Sequence, residues 1–106
     1  MKLQPTPFEK IKNGKKTIEV RLNDEKRQLI KVDDEICFNL NNDENQIITT
    51  KVVELLSYKN FKDLYYSINP LDAGDTDKDD YIEMYKYYSK EDEGKYGVLG
   101  IRFMLV

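Results

Sequence analysis

The chain has 106 residues, 40% of them apolar and 35% charged, with a net charge of −3. That suits one modest core in a single domain over residues 1–106, and no run approaches the ~18–20 apolar residues of a membrane span. Histidine is absent and Cys37 is the sole cysteine, which excludes an internal disulfide, His-based nucleophile pairs and the usual zinc ligands.

No signal peptide opens the sequence, so a soluble cytoplasmic protein is expected. The charge is uneven. Residues 1–31 hold nine Lys/Arg against four Asp/Glu, a balance of +5, and the remaining residues hold eight against sixteen, a balance of −8. Such polarity fits a basic face turned to an anionic partner.

The opening PTPFEKIKNG reads as a short helix. Thr6 is the expected N-cap, Pro7 the first helical residue and Glu9 the end of a T-x-x-E capping box. Gly14 can close it in the left-handed conformation. The strand from Lys16 to Leu22 follows at once. Ile18, Val20 and Leu22 face one way, Thr17, Glu19 and Arg21 the other. A short strand is expected near residues 28–31, then DEICFNL as a strand with Ile36, Phe38 and Leu40 on one face. Cys37 reads as a small, half-buried packing residue.

After the NNDEN turn, QIITTKVVELLSY is a long β-branched strand able to bend across a sheet. KNFKDLYYSI reads as a helix capped by Asn60, with Phe61, Leu64, Tyr65 and Ile68 on its inner side. Residues 69–80 form a loop rich in carboxylates. Counting from Asp75, the sixth and twelfth places hold Asp80 and Lys86 rather than the glycine and glutamate of a calcium loop. The loop therefore reads as helix-capping charge, with one carboxylate able to reach a cleft. Residues 79–89 suggest a third helix, with Tyr81, Ile82, Met84, Tyr85 and Tyr88 sharing a face. Tyr66 and Tyr87 fall off the apolar stripes and are expected at the surface. EGKYG is a turn, and VLGIRFMLV a buried closing strand. The sum is an α+β domain, a small mixed β-barrel with three short helices.

Lys12, Lys15 and Lys16 fan from one helix-to-strand corner, and Arg21, Lys26, Arg27 and Lys31 extend the positive charge. Such groups suit phosphates, while Thr17, Glu19 and Arg21 could read a base edge. The bland alternative is a solvated lysine face beside an exposed ion pair worth ~0.2–1 kcal/mol.

The segment PFEKIKNGKKTIEVRLNDEKRQLIKVDDEICF resembles the opening of an ASCH domain, a PUA-related β-barrel family. It carries that family's G-[KR]-K-T turn, E-x-R strand and K-[VI]-G-D-x-I-x-F strand, with Asp33 in place of the glycine. SYKNFKDL and KYGVLGIRF continue the likeness over nearly the whole chain. The resemblance implies RNA binding in a cleft beside the lysine turn, with Lys15, Lys16, Thr17, Glu19 and Arg21 inside it and Lys26 and Arg27 at its mouth. One branch of the family hydrolyses the amide of N4-acetylcytidine with a lysine, a threonine and a glutamate. Lys16 matches the lysine, Glu19 stands in the threonine's place, and the glutamate should fall in the acidic loop.

Three functions follow as candidates. The first is an RNA-binding module for single-stranded or structured RNA. The second is a hydrolase of a modified nucleoside, or an RNA-processing enzyme, with Lys16 and Glu19 as catalytic groups. The third is a protein-interaction barrel that docks an acidic partner. No metal or cofactor is expected.

Overall fold

Why does the polar face of the second strand carry an acid and a guanidinium rather than interchangeable surface residues? The answer lies in where the sheet ends. A computed structural model describes residues 1–106. Five strands, β1 (Lys2–Leu3), β2 (Ile18–Leu22), β3 (Glu35–Leu40), β4 (Asp43–Tyr58) and β5 (Val98–Leu105), form one sheet in the order β1-β3-β4-β5-β2. β1 runs parallel to β3, and every other pair is antiparallel. The fold is α+β, a five-stranded half-barrel, and β1 and β2 are its two free ends.

β4 makes the curl possible. Its first half pairs with β3 and its second half with β5. The register slips between Val52 and Glu54, so Val53 is an extra residue that bends the strand. At the β3–β4 corner Asn42 takes a left-handed φ of 70°. Asp33 does the same at 77°, in the place where the family pattern has glycine. Aspartate tolerates that region better than most residues, and the Asp34 carboxylate takes the Lys31 N–H at 2.8 Å.

Both faces of the sheet are covered. α1 (Pro5–Lys12) puts Phe8 and Ile11 against Phe38, Ile101 and Phe103. On the other face α2 (Phe61–Ser67) buries Phe61, Leu64 and Tyr65 against Ile18, Val20 and Leu22. Each such side chain contributes about 1.5–3 kcal/mol of burial. Asn60 caps α2 as its sequence suggests, accepting from Asp63 N–H at 2.8 Å.

Several local expectations are corrected. α1 starts at Pro5 behind Gln4, without a side-chain cap, because Pro5, with fixed φ and no N–H, already suits the first helical place. Residues Arg27–Leu29 are a 3-10 turn rather than a strand. The expected third helix is a 3-10 segment, Lys78–Lys86. Its start is tightened by Asp77, which accepts from Asp79 N–H, and by Asp80, which accepts from Thr76 and Asp77 N–H. Ile82 is exposed there, while Tyr81, Met84, Tyr85 and Tyr88 are half-buried against the core. EGKYG is mostly helix, since α3 spans Lys90–Tyr96. Its Glu93 is buried and bridges elements, accepting from Phe61 N–H at 2.8 Å and from the Tyr85 hydroxyl at 2.9 Å. Cys37 is exposed, because it alternates with the inward Ile36 and Phe38. No helix is long and apolar enough to cross a membrane.

Candidate functional site

β2 is buried on both sides. Ile18, Val20 and Leu22 pack under α2, while Glu19, on the opposite side of the strand, is only 5% exposed. A carboxylate at that depth needs charge partners, and the sequence supplies two. The Lys16 Nζ lies 2.9 Å from Glu19 Oε1. The Arg21 fork gives Glu19 Oε2 two bonds, from Nε at 3.0 Å and Nη2 at 2.8 Å. Burial drives the Glu19 carboxyl pKa upward, but the charges and hydrogen bonds of Lys16 and Arg21 outweigh it and hold it below the usual range. For Arg21, burial opposes the charge, yet Glu19 wins and the guanidinium pKa is raised.

Arg21 has a second partner. Its Nη2 donates to the Lys2 carbonyl at 3.2 Å, so one side chain links the two free ends of the half-barrel. Beside that seam opens a cleft of about 570 Å³, within the ~300–1,000 Å³ span of small-molecule sites. One wall is β1 and α1, with Lys2, Thr6, Pro7 and Lys10; the other is the end of the 3-10 segment and the residues after it, with Met84, Tyr87 and Tyr88. Lys16, Glu19, Val20 and Arg21 lie between them, and Tyr65, Gly74 and Asp75 close one end.

That end is fastened by lysines. Lys16 Nζ donates to the Ala73 carbonyl at 3.2 Å and Lys10 Nζ to the Gly74 carbonyl at 2.7 Å. Gly74 has φ +82°, and a Cβ there would sit 3.1 Å from Lys16 Cδ. Asp75 accepts from the Tyr65 hydroxyl at 2.8 Å. Burial raises the Asp75 carboxyl pKa, against the Tyr65 hydrogen bond and the charges of Lys16 and Lys10. A carboxylate of the acidic loop does reach the cleft.

Of the eight expected site residues, Lys16, Glu19 and Arg21 converge. Lys15 lines a smaller hollow on the far side of Asp75, with Lys10 and Thr76. Thr17 is committed through its backbone, donating to the Asp72 carbonyl at 2.8 Å and accepting from Phe103 N–H at 3.0 Å. Lys12 is exposed and lines neither hollow. Lys26 is exposed as well, and Arg27 is paired with Asp24 at 3.4 Å; neither lines the cleft. Lys2 and Lys10 line it without having stood out in the sequence, and Tyr87 and Tyr88, from the tyrosine cluster that the sequence shows, line it with them. Only the exposure of Tyr87, observed at 72%, follows from its place off the apolar stripe.

The pattern of one family, the ASCH domain, matches residues 1–106. The chain belongs to the ASCH domain family. ASCH domains are generally thought to bind RNA. Solved structures share the fold. The crystal structure of hypothetical protein PH0355 is 32% identical, with a TM-score of 0.84 over 100% of this chain and 96% of that one. The solution structure of PF0455 from Pyrococcus furiosus is 30% identical, with a TM-score of 0.74 over 100% and 94%. An ASCH protein from Zymomonas mobilis is 14% identical, with a TM-score of 0.60 over 98% of this chain and 64% of its own; at that identity it speaks for the fold alone. No curated protein matches the chain.

Proposed function

We propose that this ASCH domain binds RNA by taking one unpaired nucleotide into the cleft beside the β1–β2 seam. The observation that carries this reading is the make-up of the lining. Four cations, Lys2, Lys10, Lys16 and Arg21, stand against three carboxylates, Glu19, Asp75 and Glu83, beside three tyrosines. That near-balance suits a neutral base with its own phosphate better than a run of phosphates. Tyrosine faces offer stacking of ~1–3 kcal/mol per base, and the lysines at the rim meet the phosphate. Lys15, in the adjoining hollow, extends the basic rim.

The test is the affinity of a short single-stranded RNA at several salt concentrations. Lys10→Ala should weaken binding and reduce the salt slope by ~0.7. Lys26→Ala, outside the cleft, should change neither. Equal slopes for wild type and Lys10→Ala would reject this site.

The amidase alternative gains little support. Both Glu19 oxygens are engaged by cations, and a carboxyl held below its usual range is a weak proton acceptor. Acetate release from N4-acetylcytidine, abolished in Lys16→Ala, would reinstate it.

A further inference from the structure

The middle of the cleft is a strand edge with unused main-chain groups. β2 is the last strand of the sheet, bonded only to β5. Phe103 N–H donates to the Thr17 carbonyl and Asn23 N–H to the Gly97 carbonyl, at 3.0 Å each. With the pairing Glu19↔Ile101 and Arg21↔Leu99 between them, the ladder bonds fall on odd-numbered residues. The alternation of an antiparallel ladder then turns the N–H and C=O of Ile18, Val20 and Leu22 away from β5. Of these three, Val20 lines the cleft, although its side chain is packed into the core under α2.

We infer that Val20 reads the pairing edge of an unpaired base through its own N–H and C=O, as a neighbouring strand would. This rests on the RNA reading above and adds the recognition chemistry. A strand residue facing outward presents one donor and one acceptor side by side. Each of the four bases carries an adjacent acceptor and donor on its Watson–Crick edge, so each can complete that pair. Recognition of this kind selects for bases that are unpaired, whatever their identity, and excludes duplex, where the same edge is occupied. The cleft already supplies what such a base needs around it, with Tyr87 and Tyr88 on one wall and Lys2 and Lys10 on the other.

The experiment uses a short single-stranded RNA of mixed adenosine, cytidine and uridine and the same RNA built from 3-methyluridine, N4,N4-dimethylcytidine and N6,N6-dimethyladenosine. These remain neutral but have lost the donor that would meet the Val20 carbonyl. The methylated strand should bind about tenfold more weakly, the size expected when a sheltered acceptor goes unmet. Val20→Pro removes the cleft-facing N–H without touching the β5 ladder, a change that edge strands tolerate. It should weaken the unmodified RNA by a similar factor and add nothing to the loss from methylation, since both act on one contact. Leu22→Pro makes the same kind of change outside the cleft and should leave affinity unaltered. Equal binding of methylated and unmodified RNA by wild type overturns the inference while leaving the RNA reading in place, and this holds even if Val20→Pro does not fold. Failure of wild type to bind any RNA rejects both.

Discussion

Glu19→Gln is the sharpest perturbation of this molecule. The substitution keeps the shape of the side chain and removes its charge. Lys16 and Arg21, with side chains 10% and 18% exposed, are then left facing each other without the acid between them. Breaking a buried ion pair by removing one partner costs about 3–5 kcal/mol. At about 4–8 °C of Tm per kcal/mol for a domain near this size, a fall of at least roughly 12 °C follows. Lys16→Met should cost less, because Arg21 still holds Glu19 with two bonds. The pH dependence gives a second check. A carboxyl held below its unfolded value of 4.5 contributes stability that is present above that value and lost as pH falls through its folded pKa. The gap between wild type and Glu19→Gln should therefore narrow as the solution is acidified past 4.5. Urea unfolding at neutral and acidic pH measures both effects. A neutral-pH loss under about 1 kcal/mol, the worth of an exposed pair, would refute the claim that these three groups are sheltered from water.

Gly97 has φ 73° and ψ −170°, a region held almost only by glycine. A Cβ there would also lie 2.9 Å from the Tyr58 carbonyl oxygen. Gly97→Ala should cost at least ~1–3 kcal/mol in chemical unfolding, and an unchanged midpoint would contradict the strain argument. Burial, with help from the Glu93 carboxylate, pushes the Tyr85 hydroxyl up to about 12. A group raised above its ordinary 10.0 stabilises the fold fully below that pH and stops doing so as pH rises through about 12. Ultraviolet titration should show one tyrosine fewer ionising near pH 12 in Tyr85→Phe than in wild type.

Elements whose periodicity is tied to burial were legible before any coordinates. The inner faces of β2, β3 and α2 follow directly from alternation or helical spacing. What composition could not show is which charged residues are buried. Glu19 and Arg21 look like any same-face pair until β2 is seen to be covered on both sides. Lys10 and Lys2 look like ordinary surface lysines, because their place at the cleft depends on the seam between two strands far apart in sequence order. The tyrosine-rich segment departs from its sequence pattern for a different reason. Its apolar spacing fits a helix, but carboxylates bonded to nearby N–H groups favour the tighter turn. Cys37 sits between buried neighbours, which suggests partial burial, but alternation turns it outward.

Lys10 and Lys16 fasten the end of the cleft through the carbonyl oxygens of Ala73 and Gly74. Carbonyl oxygens belong to the chain itself and survive any exchange of side chain. Position 73 can therefore drift within its steric limits without loosening that fastening. Position 74 cannot, since its φ of +82° and the nearby Lys16 stem demand glycine. In homologues, the durable mark of this anchorage should be two lysines and a single glycine.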